Sequence, residues 1–413
     1  MHRAVTLVLL LICAGLLPLA YAENEAHQHH HGGGGGHHGM VVPESKHFPT
    51  LAYDDKRVQK SPQKKPPETL KGDPQHGKHL AYSAKGRCLS CHVLGADGQQ
   101  PGTVGPNLST YGTRGIDPAM TFQQIWDARL ANPNSIMPAF GTFDLLKENE
   151  IADITAYLHT LKRPVAAPAA LTNDTRGVWV AGEDLTRADV YLEQGERLFR
   201  KPGANNKSCA TCHANGGSGP SLEHAAATYP KWQAHRKRIV LLEQQINMCR
   251  MHRMDSKHFP LGSQESNLLL SYVKYLARHE AVKVATDGPA AQAIARGKQS
   301  FYRRTGQLNF ACATCHAPAQ GIVGKWLRGD VTHSMLAGGK YQYIAANWPK
   351  HFIGGHDLGL QSLQQRIKHC QAVTRSMPLQ LGSQEYVDLE LFLTANANGA
   401  PLLAPTISRL RGE

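Results

Sequence analysis

The sequence predicts an all-α fold of three tandem helical domains, the last two an internal repeat. Three observations carry that prediction. Cys-x-x-Cys-His occurs three times in the 413 residues, at 88–92, 209–213 and 312–316. An apolar run at helical spacing closes each segment: Ile151 to Leu161, Leu268 to Leu276 and Val387 to Leu393. The second and third segments also share landmarks in the same order, as a duplicated domain does.

Each Cys-x-x-Cys-His motif is the pattern that attaches a c-type haem. Two thiols add across the porphyrin vinyl groups, and the adjacent histidine ligates iron. Zinc ligation does not demand a histidine after every second cysteine, and a thioredoxin-like motif needs βαβ patterning, which is absent. Three covalently bound haem c groups are therefore expected. Cys88, Cys91, Cys209, Cys212, Cys312 and Cys315 attach them, and His92, His213 and His316 sit on iron. The three domains are expected to be class-I-like cytochrome c domains.

The whole chain sets bounds on the rest. Its 41% apolar content supports real cores and excludes a disordered protein. Arg3, the apolar run Ala4 to Leu19 and the small-x-small site Ala20-Tyr21-Ala22 read as a signal peptide over 1–22. No other stretch is long and apolar enough to cross a bilayer, so no membrane span is expected after cleavage. Export together with covalent haem points to the periplasm. The formal charge of +13 is partly offset by haem propionates. No Lys/Arg cluster with interleaved aromatics is evident, which argues against nucleic acid. An anionic substrate or an acidic protein partner suits the charge better.

Along the chain, residues 23–70 read as linker, with histidines from His27 to His38 and a Lys/Pro-rich tract from Lys60 to Pro67. The histidine run in a glycine-rich segment suits at most a weak metal site. The first haem domain is expected over 71–163. Gly77 to Tyr82 opens it, and Gly105-Pro106-Asn107-Leu108 is the loop set against the proximal histidine. Met137 is the expected sixth iron ligand, because Pro138 stiffens its loop; Met120 is its rival within the domain. A linker over 164–184 leads to haem domains at 185–285 and 286–405. Their landmarks match. Tyr229-Pro230-Lys231-Trp232 answers Trp348-Pro349-Lys350-His351, and Leu261-Gly262-Ser263-Gln264-Glu265 answers Leu381-Gly382-Ser383-Gln384-Glu385.

Two cysteines remain, Cys249 and Cys370, and they fall at the same place in the two copies. A structural disulfide is the default for spare cysteines in an oxidising compartment. Equivalent repeat positions favour a thiolate ligand over each haem instead. Thiolate lowers an iron potential and Met/His ligation raises it, so electrons would run from the repeats towards the first domain. Arg366 lies one helical turn before Cys370, where the first copy carries Gln245. The second copy also has an insertion with Lys325, Arg328, His333, Lys340 and Tyr341, expected to wall a cationic pocket, and Arg375 is a further candidate. A polarisable sulfur beside a guanidinium suits an anionic sulfur compound. The third haem is thus the expected active site.

These residues resemble the SoxAX cytochromes of the thiosulfate-oxidising Sox system. Gly86-Arg87-Cys88-Leu89-Ser90-Cys91-His92 and Asn132-Pro133 through Gly141 look like the mono-haem SoxX subunit. Glu243 through Arg250 and Leu363 through Cys370 look like the di-haem SoxA subunit. The family usually makes these as two chains, whereas here they are fused. The resemblance implies an L-cysteine S-thiosulfotransferase. Cys370 would be a persulfide and axial ligand, and Arg366 would hold thiosulfate. The SoxYZ carrier protein would receive thiosulfate on a cysteine, and an acceptor cytochrome c would take two electrons. Two other functions fit the residues: a thiosulfate dehydrogenase forming tetrathionate, and a multihaem carrier without bond-making activity.

Overall fold

The structure is a computed structural model describing residues 55–409, apart from 59, 67, 69–70, 98, 169–177, 181–186, 215, 318–321, 328–329, 337–344 and 354–358. The expected leader 1–22 and histidine run 27–38 lie outside the described residues, as do Arg328, Lys340 and Tyr341.

Helices start where polar side chains take up the orphan amides of a first turn. Asp73 accepts from the Gln75 and His76 amides to cap α1 (Pro74–Tyr82), whose Pro74 is preset for the first position. Asp117 does the same for α2 (Pro118–Trp126). At α3 (Glu148–Thr160) Glu150 reaches back to the Lys147 amide. There follow β1 (Val178–Val180), α4 (Arg187–Arg200), α5 (Cys209–His213), β2 (Lys231–Gln233), β3 (Arg238–Val240), α6 (Leu242–Met254) and α7 (Gln264–Leu276). The chain continues through α8 (Gly288–Tyr302), α9 (Cys312–His316), the short pair β4 (Trp326–Leu327) and β5 (Asp330–Val331), then β6 (Lys350–Ile353) and β7 (Leu360–Gln361). It ends with α10 (Leu363–Val373), α11 (Gln384–Ala395) and β8 (Thr406–Arg409).

Three helix pairs cross at bare backbone, each through a glycine. A Cβ on Gly77 of α1 would lie 1.9 Å from the Asp153 carbonyl oxygen of α3. On Gly195 of α4 it would lie 2.4 Å from Leu268 O of α7, and on Gly297 of α8 2.1 Å from Asp388 O of α11. Any side chain there forces the helices apart, so the packing itself requires glycine. Apolar clusters surround the crossings: Leu80, Ile151 and Ile154 at the first, Phe199 and Leu269 at the second, Phe301, Leu389 and Phe392 at the third. Each such buried side chain contributes about 2 kcal/mol of hydrophobic stabilisation.

The fold is mostly helical, but it departs from the expected all-α class. β8 runs parallel to β6 and antiparallel to β1, in a sheet of order β1-β8-β6-β7. Strands of two to four residues are too short to show period-two alternation, which is why the sequence hid them. Two boundaries move with them, since β1 lies inside the expected 164–184 linker and β8 lies past 405. The expected 23–70 linker also gains structure. Lys56–Val58 forms a helical turn, with the Lys56 amide donating to Asn309 Oδ1 at 3.1 Å and its carbonyl accepting from Arg129 Nη1 at 2.8 Å.

Long-range contacts then set the docking of the parts. Leu308 joins the core cluster of the first haem domain, and Phe310 packs against it. Arg87 Nη1 donates to Val373 O at 2.9 Å, and Arg375 Nη2 donates to Ala84 O and Lys85 O at 2.7 Å each. The two matching pentapeptides meet each other. A Cβ on Gly262 would touch Leu381 Cδ1 at 2.7 Å, and one on Gly382 would touch Leu261 Cδ1 at 2.7 Å.

Candidate haem and sulfur sites

The motif residues form their own single helical turns. Ser208 and Thr211 bond each other's backbone amides at the start of α5, and Thr314 Oγ1 accepts from the Ala311 amide at the start of α9. That is the local use of the threonine in both Cys-Ala-Thr-Cys-His motifs. The three histidines are then held alike. His92 Nδ1 meets Pro106 O at 2.8 Å, His213 Nδ1 meets Pro220 O at 2.9 Å, and His316 Nδ1 meets His333 O at 2.8 Å. A carbonyl only accepts, so Nδ1 carries the proton and Nε2 keeps a lone pair of the kind a metal takes.

These residues fit haem c. Bare backbone lies against the proximal ring, since a Cβ on Gly105 would sit 2.2 Å from His92 Cε1. Trp126 Nε1 and Arg250 Nε are buried donors without a hydrogen-bond partner among the described residues, as a pocket built for an anionic cofactor leaves them. Burial pushes the Cys88 thiol up to about 12 and the Cys91 and Cys209 thiols to about 11. Cys312 and Cys315 rise to about 12, through burial and then through Cys370. Among the described residues no group of three or more His, Cys, Asp or Glu converges as metal ligands.

Met137 and Cys88 both pack against the first core cluster, and the Met137 amide donates to Ser135 Oγ at 3.2 Å. Its rival Met120 is 67% exposed, pointing to solvent. Cys249 faces His213, whose ring holds the thiol below its usual range, with Gln245 adding to the effect. Gln245 in turn accepts from Gln233 Nε2 at 2.7 Å. Cys370 lies near Cys312 and Cys315, a separate site from that of Cys249. The Ser362–Gln365 capping box starts α10, which carries Arg366 and Cys370 one turn apart. Arg366 lies close enough for its charge to act on His316: burial lowers the imidazole, the His333 carbonyl raises it, and the Arg366 charge lowers it further. Cys315 also senses Cys91, so the first and third motifs are close.

Other expected residues fall elsewhere. Arg375 does not wall a pocket: it binds the Ala84 and Lys85 carbonyls, because a left-handed backbone (φ 56°) after α10 turns its side chain to that seam. Lys325 is exposed, and His333 serves the site through its carbonyl. Sequence reasoning missed Pro220, Gln233 and that His333 carbonyl. Gly219-Pro220 repeats Gly105-Pro106 and was a readable signal for the first; nothing local marked the other two.

Residues 194–282 match the family described as SoxA/TsdA, cytochrome c domain, and residues 74–162 match cytochrome c. The L-cysteine S-thiosulfotransferase subunit SoxA of Pseudaminobacter salicylatoxidans is 33% identical over 220 residues, covering 53% of this chain and 72% of that protein. The chain belongs to the SoxA family. SoxA of Chlorobaculum tepidum is 30% identical, covering 57% of this chain and 77% of its own length. The SoxXA crystal structure from P. pantotrophus is 29% identical, covers 53% of this chain and 78% of that chain, and gives a TM-score of 0.47. SoxA similarity and a separate cytochrome c match thus share one chain, with covalent haem c implied in both.

Proposed function

We propose that this SoxA-family chain joins thiosulfate oxidatively to a cysteine of a SoxYZ-type carrier, giving a cysteine S-thiosulfonate. The observation that carries the reading is the pairing of Arg366 and Cys370 on α10 beside His316, where the other site has Gln245 and Cys249. In this reading the chain holds three class-I-like cytochrome c domains, 71–163, 185–285 and 286–405, the last two a repeat and the first a fused SoxX-like unit. Three covalently bound haem c groups supply one-electron redox capacity. His92 and Met137, His213 and Cys249, and His316 and Cys370 would hold the three irons, and Cys370 would carry the extra sulfur of a persulfide. The leader directs the chain to the periplasm.

The chain's own residues do three things for the reaction. Arg366 pairs with thiosulfate and offsets repulsion between two anionic sulfur species, as a guanidinium fork does for oxyanions. Cys370 presents a polarisable sulfur at the same point. The capped helix α10 fixes both in one frame, so the substrate arrives oriented. One carrier thiol and one thiosulfate yield the S–S-linked product, one proton and two electrons, which an acceptor cytochrome c removes.

The test is reduction of the holo-protein by thiosulfate, with and without a SoxYZ-type carrier thiol, while tetrathionate is assayed. Carrier-dependent reduction with thiosulfonate on the carrier cysteine is expected. Carrier-independent reduction with tetrathionate would move the function to thiosulfate dehydrogenase, and no reduction would leave an electron carrier. Cys370→Ala should abolish turnover and Cys249→Ala should leave substantial activity; equal loss in both would sink the third site as the catalytic one.

A further inference from the structure

The matching Pro-Lys segments adopt opposite environments. In the second copy Lys350 and His351 are each 1% exposed within the sheet. In the first copy the segment opens a hairpin instead, with Lys231 opposite Val240, Trp232 opposite Ile239 and Gln233 opposite Arg238. The turn runs Ala234-His235-Arg236-Lys237 and closes on a left-handed Lys237 (φ 50°). Lys231, His235, Arg236, Lys237 and Arg238 are all exposed. Among the described residues no carboxylate pairs with any of these four lysines and arginines; Arg236 Nε instead donates to His235 Nε2 at 3.1 Å. Four like charges on one short hairpin oppose each other, and among the described residues no carboxylate compensates them.

The hairpin is nevertheless packed along its inner face and hydrogen-bonded towards the second site. Ile239 and Leu241 are buried with Val284, Ala293, Val387 and Leu391, and Trp232 packs inward against them. At its base Gln233 Nε2 donates to Gln245 Oε1 at 2.7 Å, and Gln245 Nε2 donates to Cys249 Sγ at 3.4 Å. Two hydrogen bonds thus join the basic surface to the distal side of the second site. Among the described residues the exposed large apolar side chains are Met120, Leu130, Val190, Met251 and Tyr302, none of them in the hairpin, so the hairpin itself offers no apolar anchor of the kind a membrane surface takes. It also lacks the exposed aromatics on which single-stranded nucleic acid stacks.

We propose that the β2–β3 hairpin is a docking surface for an acidic redox protein, which exchanges single electrons with the second haem site. This gives the second site a function of its own, as a port separate from the Met137 site. It rests on the haem reading of Cys209–His213 and not on the thiosulfate reaction. In each exchange the reduced second site loses one electron and the docked partner gains it, with no bond made or broken.

The experiment uses dithionite-reduced full-length holo-protein and a small acidic c-type cytochrome as oxidant, followed by stopped flow. The variant Arg236→Glu/Lys237→Glu/Arg238→Glu should slow the second-order rate about a hundred-fold at low salt, with the difference collapsing at high salt. Oxidation by an uncharged benzoquinone should stay unchanged, which shows that the variant is folded and loaded. Lys162→Glu/Arg163→Glu, on an exposed part of the first domain, should leave the cytochrome rate near wild type. An unchanged rate in the hairpin variant, or an equal fall in the control, overturns the proposal. So does hairpin-dependent binding to phosphatidylglycerol vesicles or poly(dT) without any effect on the cytochrome rate. No thiosulfate is present, so this result stands apart from that of the thiosulfate assay.

Discussion

Gln245 donates its side-chain amide to the Cys249 sulfur at 3.4 Å, across one turn of α6. The corresponding pair on α10 is Arg366 and Cys370, so one substitution separates a site with a neutral donor from one with a cation. Arg366→Gln copies the first arrangement into the second. It should lower kcat/KM for thiosulfate about a hundred-fold, the loss of one charge-assisted contact of about 3 kcal/mol, with haem content unchanged. Steady-state kinetics beside a pyridine haemochrome assay checks both halves of that statement.

Arg375 ties α10 to the carbonyls of the first haem domain from a left-handed backbone. Arg375→Ala keeps the strained backbone and removes only the side chain, so thermal unfolding should show a loss of about 1–2 kcal/mol. Arg375→Gly should lose about 1 kcal/mol less, because glycine also relieves the strain. Alanine and glycine variants of equal stability would mean that the left-handed turn matters less than the seam.

Gly297 lies where α8 crosses α11, with its hypothetical Cβ 2.1 Å from Asp388 O. Gly297→Ala should cost about 3 kcal/mol through forced separation of the helices. Gly115, by contrast, has nothing within 4 Å, and only its φ of 66° resists a side chain. Gly115→Ala should therefore cost about 1 kcal/mol. Denaturant midpoints of the two holo-variants give the comparison.

Glu243, Lys274 and Glu390 form a buried charged cluster, with Gln364 Nε2 donating to Glu390 at 3.0 Å and Lys274 Nζ donating to the Ala346 and Trp348 carbonyls. Burial, and then Glu243, push the Glu390 carboxyl up to about 8 against the pull of Lys274 and Gln364. The folded chain therefore keeps a proton that the unfolded chain releases near pH 4, so this group weakens stability as pH rises from there to about 8. Glu390→Gln should be close to neutral at pH 4 and should raise the melting temperature by a growing margin from pH 5 to pH 8. A melting profile with the same slope as wild type would refute it.

Asp127 is buried against Arg129, which grips it through Nε and Nη2, with Thr142 adding a third donor. Burial raises the carboxyl, but these donors outweigh it and hold Asp127 below the usual carboxylate range. Its stabilisation is complete above the unfolded value near pH 4 and fades as pH falls through the lower folded value. Asp127→Asn strands a buried guanidinium and should cost about 3 kcal/mol at pH 7, with a smaller difference from wild type at pH 2, read by acid titration of the melting temperature.

Much of the candidate chemistry was legible because it is local. Attachment to haem needs five contiguous residues, and Arg366 and Cys370 are one turn apart, so spacing alone placed them. The crossing glycines were also visible, as Gly77, Gly195 and Gly297 ahead of each motif, although nothing in one strand of sequence says that backbone will lie against them. The sheet stayed hidden because its strands are too short to alternate, and the ordering of Lys56 stayed hidden because its partners are Asn309 and Arg129.

By itself the sequence determined the three Cys-x-x-Cys-His motifs, the two further cysteines, Cys249 and Cys370, and the arginine one turn before Cys370. Tertiary structure decided which carbonyl orients each histidine, that Arg375 belongs to a seam, and that one Pro-Lys segment is buried while its twin stands in solvent. The physical reason is range. Covalent and one-turn relationships are fixed by neighbours along the chain, whereas His316 to His333, and Arg375 to Ala84 some 291 residues away, meet only after the helices have packed.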